Sequence, residues 1–134
     1  ITDKTLEVLA AADLAITKSG TVNLEIALLE VPQVVVYRVN PITAWIARHI
    51  LKFAIPFMSP PNLVQMKGIV PELLQEEATP EKIAQEALNL LNSAQKNQII
   101  ADYREMRQAL GDVGVCDRAA KEILQMLCDR EFSF

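Results

Sequence analysis

The sequence predicts an α/β fold: a partial parallel sheet of two to three strands with helices, followed by a helical C-terminal half. Between residues 1 and 76, short β-branched runs alternate with stretches of helical apolar spacing, as in a parallel sheet covered by helices. Residues 77–134 keep helical spacing. A length of 134 residues with 51% hydrophobic residues fits a single domain with a real core and excludes a disordered chain.

The N-terminal half alternates in the order helix, strand, helix, strand, helix. Thr2 or Asp3 can cap the first helix, which continues to about Ala12. The run Leu14–Thr17 predicts a short buried strand, because it is apolar and ends at Lys18-Ser19-Gly20. The remaining expected elements are a helix from Thr21 to before Val31-Pro32, a β-branched strand over Gln33–Val39, and a helix from Ile42 to about Phe53.

Prolines and glycines divide the rest of the chain. Residues 55–68 contain three prolines, so we expect only a short strand and an ordered loop there. A short helix is expected from Pro71 to about Glu76, and Thr79 followed by Pro80 is typical of a helix start. Two more helices are expected over about Lys96–Leu110 and Val115–Cys128, separated by Gly111 and Gly114.

Charge and composition exclude several classes of function. Thirteen basic and 17 acidic residues give a net charge of −4 with no basic cluster, which argues against nucleic-acid binding. Cys116, Cys128 and a single histidine do not make a zinc site or a disulfide scaffold, so we expect no metal and no cofactor. The apolar tract Ile42–Met58 is interrupted by charges and is too short to span a bilayer. Because we expect the two cysteines to be reduced thiols, we expect a cytoplasmic protein.

The segment Ser19-Gly20-Thr21 has the pattern of an anion-binding turn, because it lies where a strand gives way to a helix. Gly20 permits close approach of a ligand to the backbone, and the Ser19 and Thr21 hydroxyls add donors. Glu25 would lie one turn along the same helix face, where a carboxylate could bind the vicinal hydroxyls of a ribose. The same residues could equally be a helix cap followed by a solvated acid.

Three further polar residues follow predicted strands or loops at the edge where open α/β sheets bind ligands. Asn62 and Gln75 offer neutral donors and acceptors suited to a sugar or nucleobase, and Arg38 offers a fixed cation for a phosphate. The alternatives are an Asx-turn for Asn62, a solvated helix residue for Gln75 and a surface ion pair for Arg38. The sequence shows no catalytic triad and no carboxylate pair, so we expect no catalytic residue in this chain.

These motifs, taken together, resemble those of lipid-A-disaccharide synthases over most of residues 10–127. Five segments occur in the family's order and spacing. They are Ser19-Gly20-Thr21 with Leu24-Glu25, Pro32 through Val36-Tyr37-Arg38, Pro41 with Trp45-Ile46-Ala47-Arg48, Pro61-Asn62-Leu63, and Val70 through Glu76.

The resemblance implies a GT-B glycosyltransferase, in which two Rossmann-like domains face each other across a cleft. The family transfers a sugar from UDP-2,3-diacylglucosamine to 2,3-diacylglucosamine 1-phosphate, which forms the β-1,6-linked lipid A disaccharide and releases UDP. By the family pattern, Ser19, Gly20 and Thr21 would hold the diphosphate and Glu25 the ribose, with Asn62 and Gln75 near the donor.

The resemblance also implies that this chain is the later part of the donor-binding domain, with residues 1–76 as its α/β part and 77–134 as its helical part. We expect a fragment of a longer two-domain protein, inactive alone because the acceptor domain is missing. The full-length protein could contact the inner membrane peripherally. Two alternatives stay open: a non-catalytic nucleotide- or sugar-binding module, and a homodimer that exchanges C-terminal helices and keeps a vestigial site.

Overall fold

The computed structural model describes residues 3–38 and 56–131, with side chains up to residue 128. These residues form a three-stranded parallel sheet with helices, followed by a long C-terminal helix, which confirms the predicted fold class. The helix predicted from Ile42 to about Phe53 lies outside the described residues.

Helices and strands alternate in the first part of the described residues, and helices follow in the last part. In chain order they are α1 (Thr5–Ala10), β1 (Ala15–Lys18), α2 (Val22–Leu28), β2 (Gln33–Tyr37), α3 (Pro60–Gln65), β3 (Glu72–Leu74), a 3-10 turn (Gln75–Glu77), α4 (Pro80–Leu91), α5 (Ser93–Leu110) and α6 (Val115–Glu131).

The sheet has the strand order β1-β2-β3, and both pairings are parallel. Lys18 at the end of β1 is paired with Val36, and Tyr37 at the end of β2 is paired with Leu74 at the end of β3. This register brings the carboxyl ends of all three strands to one edge of the sheet, within about a residue of one another.

Two predictions for the middle of the chain are wrong. The helix expected from Pro71 to about Glu76 is instead β3 followed by the 3-10 turn, because Leu73 is buried against the sheet and Val35 N–H donates to the Pro71 carbonyl at 2.9 Å. The strand expected within residues 55–68 is absent from the described part, residues 56–68, which contains α3. Pro60 and Pro61 suit the start of that helix. The N–H groups of a helix's first turn have no partner within the helix, so proline, which lacks an N–H group, costs no hydrogen bond there.

The starts of α2, α4 and α6 agree with the sequence, whereas those of α1 and α5 differ. Thr79 caps α4 as predicted, its hydroxyl accepting from Lys82 N–H at 3.3 Å. In contrast, α5 begins earlier than expected, because Asn92 acts as its cap and accepts from Ala94 N–H at 3.1 Å. The predicted cap of α1 is also wrong: that helix begins only at Thr5, because Asp3 has a φ of 61°, which is left-handed rather than helical.

The core lies between the sheet and the helices α2, α4 and α5. Val34 and Val35 of β2 are 0% exposed and form its centre. Helices α4 and α5 contribute the remaining apolar contacts, and the loop before β3 closes one side. The other buried residues of the core are Ala27, Ile69, Val70, Leu73, Ala87, Leu90, Ile99, Tyr103 and Met106.

Helix α6 differs from the other long helices, because every described side chain on it is exposed. Its apolar residues recur at helical spacing and form one face, which includes Ile123, Met126 and Leu127. None of the helices within the described ranges is both long enough and apolar enough to cross a membrane.

Replacing Met106 by alanine is expected to lower the free energy of unfolding by about 2–5 kcal/mol, because the substitution leaves a cavity in a fully packed core. Met106 is 0% exposed in α5. Urea unfolding of the purified chain measures the change.

The matched control is Met126→Ala on α6, where the side chain is 65% exposed. This substitution is expected to change the free energy of unfolding by no more than about 0.5 kcal/mol. Equal losses in the two variants would contradict the position of the core.

Candidate functional site

Three of the predicted site residues leave the sheet at the same edge. Ser19 follows β1, Arg38 follows β2 and Gln75 follows β3, and the parallel register aligns these three strand ends. In open α/β sheets this carboxyl edge is where ligands bind. The structure therefore brings these three residues to one edge, although Gln75 was expected in a helix and instead follows a strand.

The turn between β1 and α2 is held from inside the protein. Gly20 N–H donates to the Asn23 side-chain oxygen at 2.7 Å, and Asn23 N–H donates back to the Gly20 carbonyl at 3.1 Å. A methyl group added at Gly20 would meet no atom within 4 Å, and its φ is not in the left-handed region. Neither packing nor backbone conformation therefore requires glycine at this position.

The Ser19 hydroxyl is directed inward. It donates to the carbonyl of Met58 at 2.6 Å, and Ser19 N–H reaches the Val36 carbonyl at 3.4 Å. This differs from the expectation that the hydroxyl adds a donor to the turn, because its single proton is already shared with the Met58 segment.

Thr21 and Glu25 lie four residues apart at the start of α2, and both are exposed. Thr21 occupies the N-cap position of α2, but its side chain makes no capping hydrogen bond. The alternative in which Thr21 caps the helix through its hydroxyl is therefore not observed. Arg38 is exposed as well, and within residues 3–38 and 56–131 it forms no ion pair. Gln75 is half-buried, with a φ of 52°.

Asn62 lies in the interior and is 1% exposed. Its oxygen accepts from Ile69 N–H at 2.7 Å and from Val70 N–H at 2.8 Å, and its amide nitrogen donates to the Val70 carbonyl at 2.9 Å. A fourth bond, at 2.7 Å, goes to the Glu72 carboxylate. These bonds use both amide protons and both acceptor positions of the Asn62 side chain. The predicted contact with a ligand would therefore require Asn62 to give up one of these four bonds.

Sequence reasoning missed Glu72, which organises the loop before α3. Its carboxylate accepts from Met58 N–H at 2.7 Å, from Ser59 N–H at 2.9 Å, from the Ser59 hydroxyl at 2.6 Å and from Asn62. The only available signal was an acidic residue between Pro71 and two leucines, which suits a helix start as well as a strand. Glu72 thus connects β3 to the segment that receives the Ser19 hydroxyl.

Sequence reasoning also missed a buried network of Asn23, Gln33 and Tyr103, all 1% exposed or less. The Asn23 amide donates to the Gln33 side-chain oxygen at 2.9 Å. The Gln33 amide donates to the Asn23 carbonyl at 2.9 Å and to the Tyr103 hydroxyl at 3.3 Å. Burial strongly raises the pKa of Tyr103, so its phenol stays neutral.

Ion pairs join α5 to neighbouring segments away from this edge. Arg104 donates two bonds to Glu30, at 2.9 and 2.7 Å, and this contact lowers the pKa of Glu30. Lys67 lies 2.7 Å from Asp102, which raises the pKa of Lys67. Two depressions, of about 300 and 680 Å³, lie beside these ion pairs. Residues that precede β3 line the first and Glu30, which precedes β2, lines the second, so both lie at the amino edge of the sheet.

No group of three or more histidine, cysteine or acidic side chains that could hold a metal ion occurs in the described part of the chain.

A three-stranded parallel sheet with helices, whose carboxyl edge carries a Ser-Gly-Thr turn and exposed polar residues, defines an α/β protein of the open-sheet class. Comparison with known proteins is more specific, because the model of the lipid-A-disaccharide synthetase family matches residues 1–126. The chain therefore belongs to the lipid-A-disaccharide synthase family, glycosyltransferases of lipid A biosynthesis, as the resemblance predicted.

Individual relatives agree. The chain is 66% identical over 122 residues to the lipid-A-disaccharide synthase of Gloeothece citriformis, covering 90% of this chain and 32% of that protein. It is 61% identical over 123 residues to that of Synechocystis (91% and 31%) and 44% identical over 122 residues to that of Myxococcus xanthus (90% and 31%). The chain thus spans about a third of the length of these relatives.

Replacing Glu72 by glutamine is expected to lower the free energy of unfolding by about 2 kcal/mol, because an amide nitrogen would then face buried donors that now share a carboxylate. Chemical denaturation of the purified variant measures the loss. The control is Glu76→Gln, an exposed acid in the adjoining turn, for which we expect a change within about 0.5 kcal/mol. A loss no larger than the control's would show that the Glu72 bonds are not important to stability.

Proposed function

We propose that this chain is the donor-binding part of a lipid-A-disaccharide synthase and binds the UDP portion of UDP-2,3-diacylglucosamine at the carboxyl edge of the sheet. The observation that carries this proposal is Gly20, a glycine that the fold does not need, beside open space at the turn between β1 and α2. Close approach of a diphosphate to the backbone is a reason for glycine there.

The exposed residues around Gly20 suit the parts of a nucleoside diphosphate. The Thr21 hydroxyl and the backbone of the turn would bind the diphosphate, and Glu25, one turn along, would bind the ribose hydroxyls. Arg38 at the neighbouring strand end would place a guanidinium against the phosphate charge. Helix amides and Arg38 could stabilise departing UDP without a metal.

The contacts of two predicted residues refine their proposed roles. Ser19 would act mainly by fixing the turn, since its hydroxyl donates to Met58. Asn62 would act by holding the loop that leads into β3, since its four bonds lie within the protein. Gln75, which follows β3, would lie near the donor.

In the longer protein, we propose that the donor sugar is transferred to 2,3-diacylglucosamine 1-phosphate to form the β-1,6-linked lipid A disaccharide. The lipid acceptor, and any peripheral contact with the inner membrane, would involve the remainder of that protein. Positioning both substrates contributes up to about 7–11 kcal/mol of rate enhancement in favourable systems, so a donor-binding part alone lacks a major part of the catalysis.

The alternative in which two copies exchange C-terminal helices is favoured by one observation. The described side chains of α6 are all exposed, including an apolar face that is 58% exposed at Ile123 and 56% at Leu127. A homodimer with a vestigial site would cover this face without binding UDP.

UDP at about 100 times its dissociation constant is expected to stabilise the chain by about 2.7 kcal/mol, because it binds the folded state only. Gly20→Ala is expected to weaken this stabilisation while leaving the free energy of unfolding without UDP unchanged or raised by up to about 1 kcal/mol. Glu25→Ala is expected to abolish it. Thermal and urea unfolding with and without UDP measure both quantities.

The matched control is Glu7→Ala, which removes another exposed acid from the first turn of a helix, in α1. Its UDP stabilisation should equal that of the unmodified chain. Failure of UDP to stabilise the unmodified chain would contradict the proposal and favour the vestigial-site homodimer.

The chain alone is expected to form no lipid A disaccharide from UDP-2,3-diacylglucosamine and 2,3-diacylglucosamine 1-phosphate, because a donor-binding part cannot position the acceptor. Chromatography of the lipid products after incubation measures this, with a full-length relative as the positive control. Disaccharide formed by the chain alone would show that it is more than a donor-binding part.

A further inference from the structure

A line of buried hydrogen bonds runs from the C-terminal helical part of the chain to the turn at the edge of the sheet. Tyr103 on α5 is bonded to Gln33 at the start of β2, Gln33 is bonded to Asn23 in α2, and Asn23 holds the N–H of Gly20. We call these three side chains the Tyr103 relay. The hydrogen bonds measure 3.3 Å from the Gln33 amide to the Tyr103 hydroxyl, 2.9 Å from the Asn23 amide to the Gln33 oxygen and 2.7 Å from the Gly20 N–H to the Asn23 oxygen.

We propose that Tyr103 and Gln33 are positioning residues for the donor site, acting through Asn23 to fix the Ser19–Gly20 peptide. This inference rests on the proposed function, because it assigns a role in ligand binding to residues that touch no ligand. The relay is distinct from the exposed Thr21, Glu25 and Arg38.

Each hydrogen bond of the Tyr103 relay has a defined donor and acceptor, so it fixes the orientation of a side chain more strictly than apolar packing does. Gln33 uses one amide proton on the Asn23 carbonyl and the other on the Tyr103 hydroxyl, and its oxygen accepts from the Asn23 amide. Gln33 and Asn23 are both 0% exposed, so water cannot replace a lost partner. Each side chain therefore has one favourable orientation, and that of Asn23 aims its oxygen at Gly20.

Restraint matters at Gly20 because glycine has more backbone conformations than any other residue. Two contacts restrict this part of the chain: the Asn23 oxygen holds the Gly20 N–H, and the Met58 carbonyl holds the Ser19 hydroxyl. A turn fixed before binding loses less conformational entropy when a ligand arrives, which strengthens affinity. The relay would thus affect affinity without contacting the ligand.

Tyr103, at the end of the relay farthest from Gly20, has the burial that this role needs. Tyr103 is 1% exposed and lies 70 residues from Gln33 along the chain, so the helical part packs against the start of β2. Because burial keeps the phenol un-ionised, Tyr103 presents the same acceptor to Gln33 across the neutral pH range.

The test compares Tyr103→Phe, which removes only the hydroxyl, with Ile99→Val, which removes one methyl group from the same helix and core. Ile99 is 3% exposed and takes no part in the relay. Hydrogen exchange of the Gly20 amide in the 134-residue chain, without ligand, is the first measurement. The dissociation constant of UDP is the second.

Tyr103→Phe is expected to speed Gly20 exchange and to weaken UDP binding by about fivefold each, the effect of one lost hydrogen bond. Ile99→Val is expected to leave both unchanged. In an Asn23→Ala background, which has no side-chain acceptor for the Gly20 N–H, Tyr103→Phe is expected to add no further change in Gly20 exchange. Gln33→Met removes both amide donors and the oxygen that accepts from Asn23, so it should speed Gly20 exchange at least as much as Tyr103→Phe does.

The relay is overturned if Tyr103→Phe changes Gly20 exchange no more than Ile99→Val does, or if its effect persists undiminished in the Asn23→Ala background. The exchange measurement needs no ligand, so it decides the relay even where UDP fails to bind the unmodified chain, a result that overturns the proposed function alone. Faster Gly20 exchange with unchanged UDP affinity would overturn the positioning role.

Discussion

The Glu72 carboxylate holds together the parts of the sheet edge that are far apart in the chain. It collects donors from Met58, Ser59 and Asn62, and the Met58 carbonyl in turn receives the Ser19 hydroxyl. The end of β1 and the loop before α3 are thereby tied to a single acceptor group at the start of β3. Charge-assisted bonds of this kind are about twice as strong as neutral ones, so the loop can be ordered without extensive apolar contact.

The polar residues predicted for the site differ in where their side chains lie: some are bonded within the protein and others are exposed. Ser19 and Asn62 turn inward and use their hydrogen bonds on the protein itself. Thr21, Glu25 and Arg38 stay exposed. Family membership and this division together support a ligand site in which one set of residues builds the turn and another meets the ligand.

Local sequence signals were sufficient for part of the fold. The β-branched run of β2 and the Thr79-Pro80 start of α4 were predictable because neighbours in sequence decide them. The three residues of β3 are too few to show a period, and only pairing with β2 makes them a strand. The gathering of strand ends at one edge followed from the predicted parallel order.

Individual side-chain roles were less predictable, because their partners are distant in sequence. Ser19 meets Met58, 39 positions away, and Tyr103 meets Gln33, 70 positions away. No local pattern distinguishes an asparagine that meets a ligand from one that, like Asn62, clamps a loop. The family resemblance, carried by several motifs in register, identified the family but not these inward contacts.

The left-handed backbone of Gln75, at the carboxyl end of β3, has an energetic consequence. A non-glycine residue in this conformation carries conformational strain on the order of 1–2 kcal/mol. Such strain persists only where the surrounding structure over-determines the backbone, and here β3 on one side and the 3-10 turn on the other impose it. Glycine would relieve the strain, but it would also remove the side chain that this geometry holds at the edge.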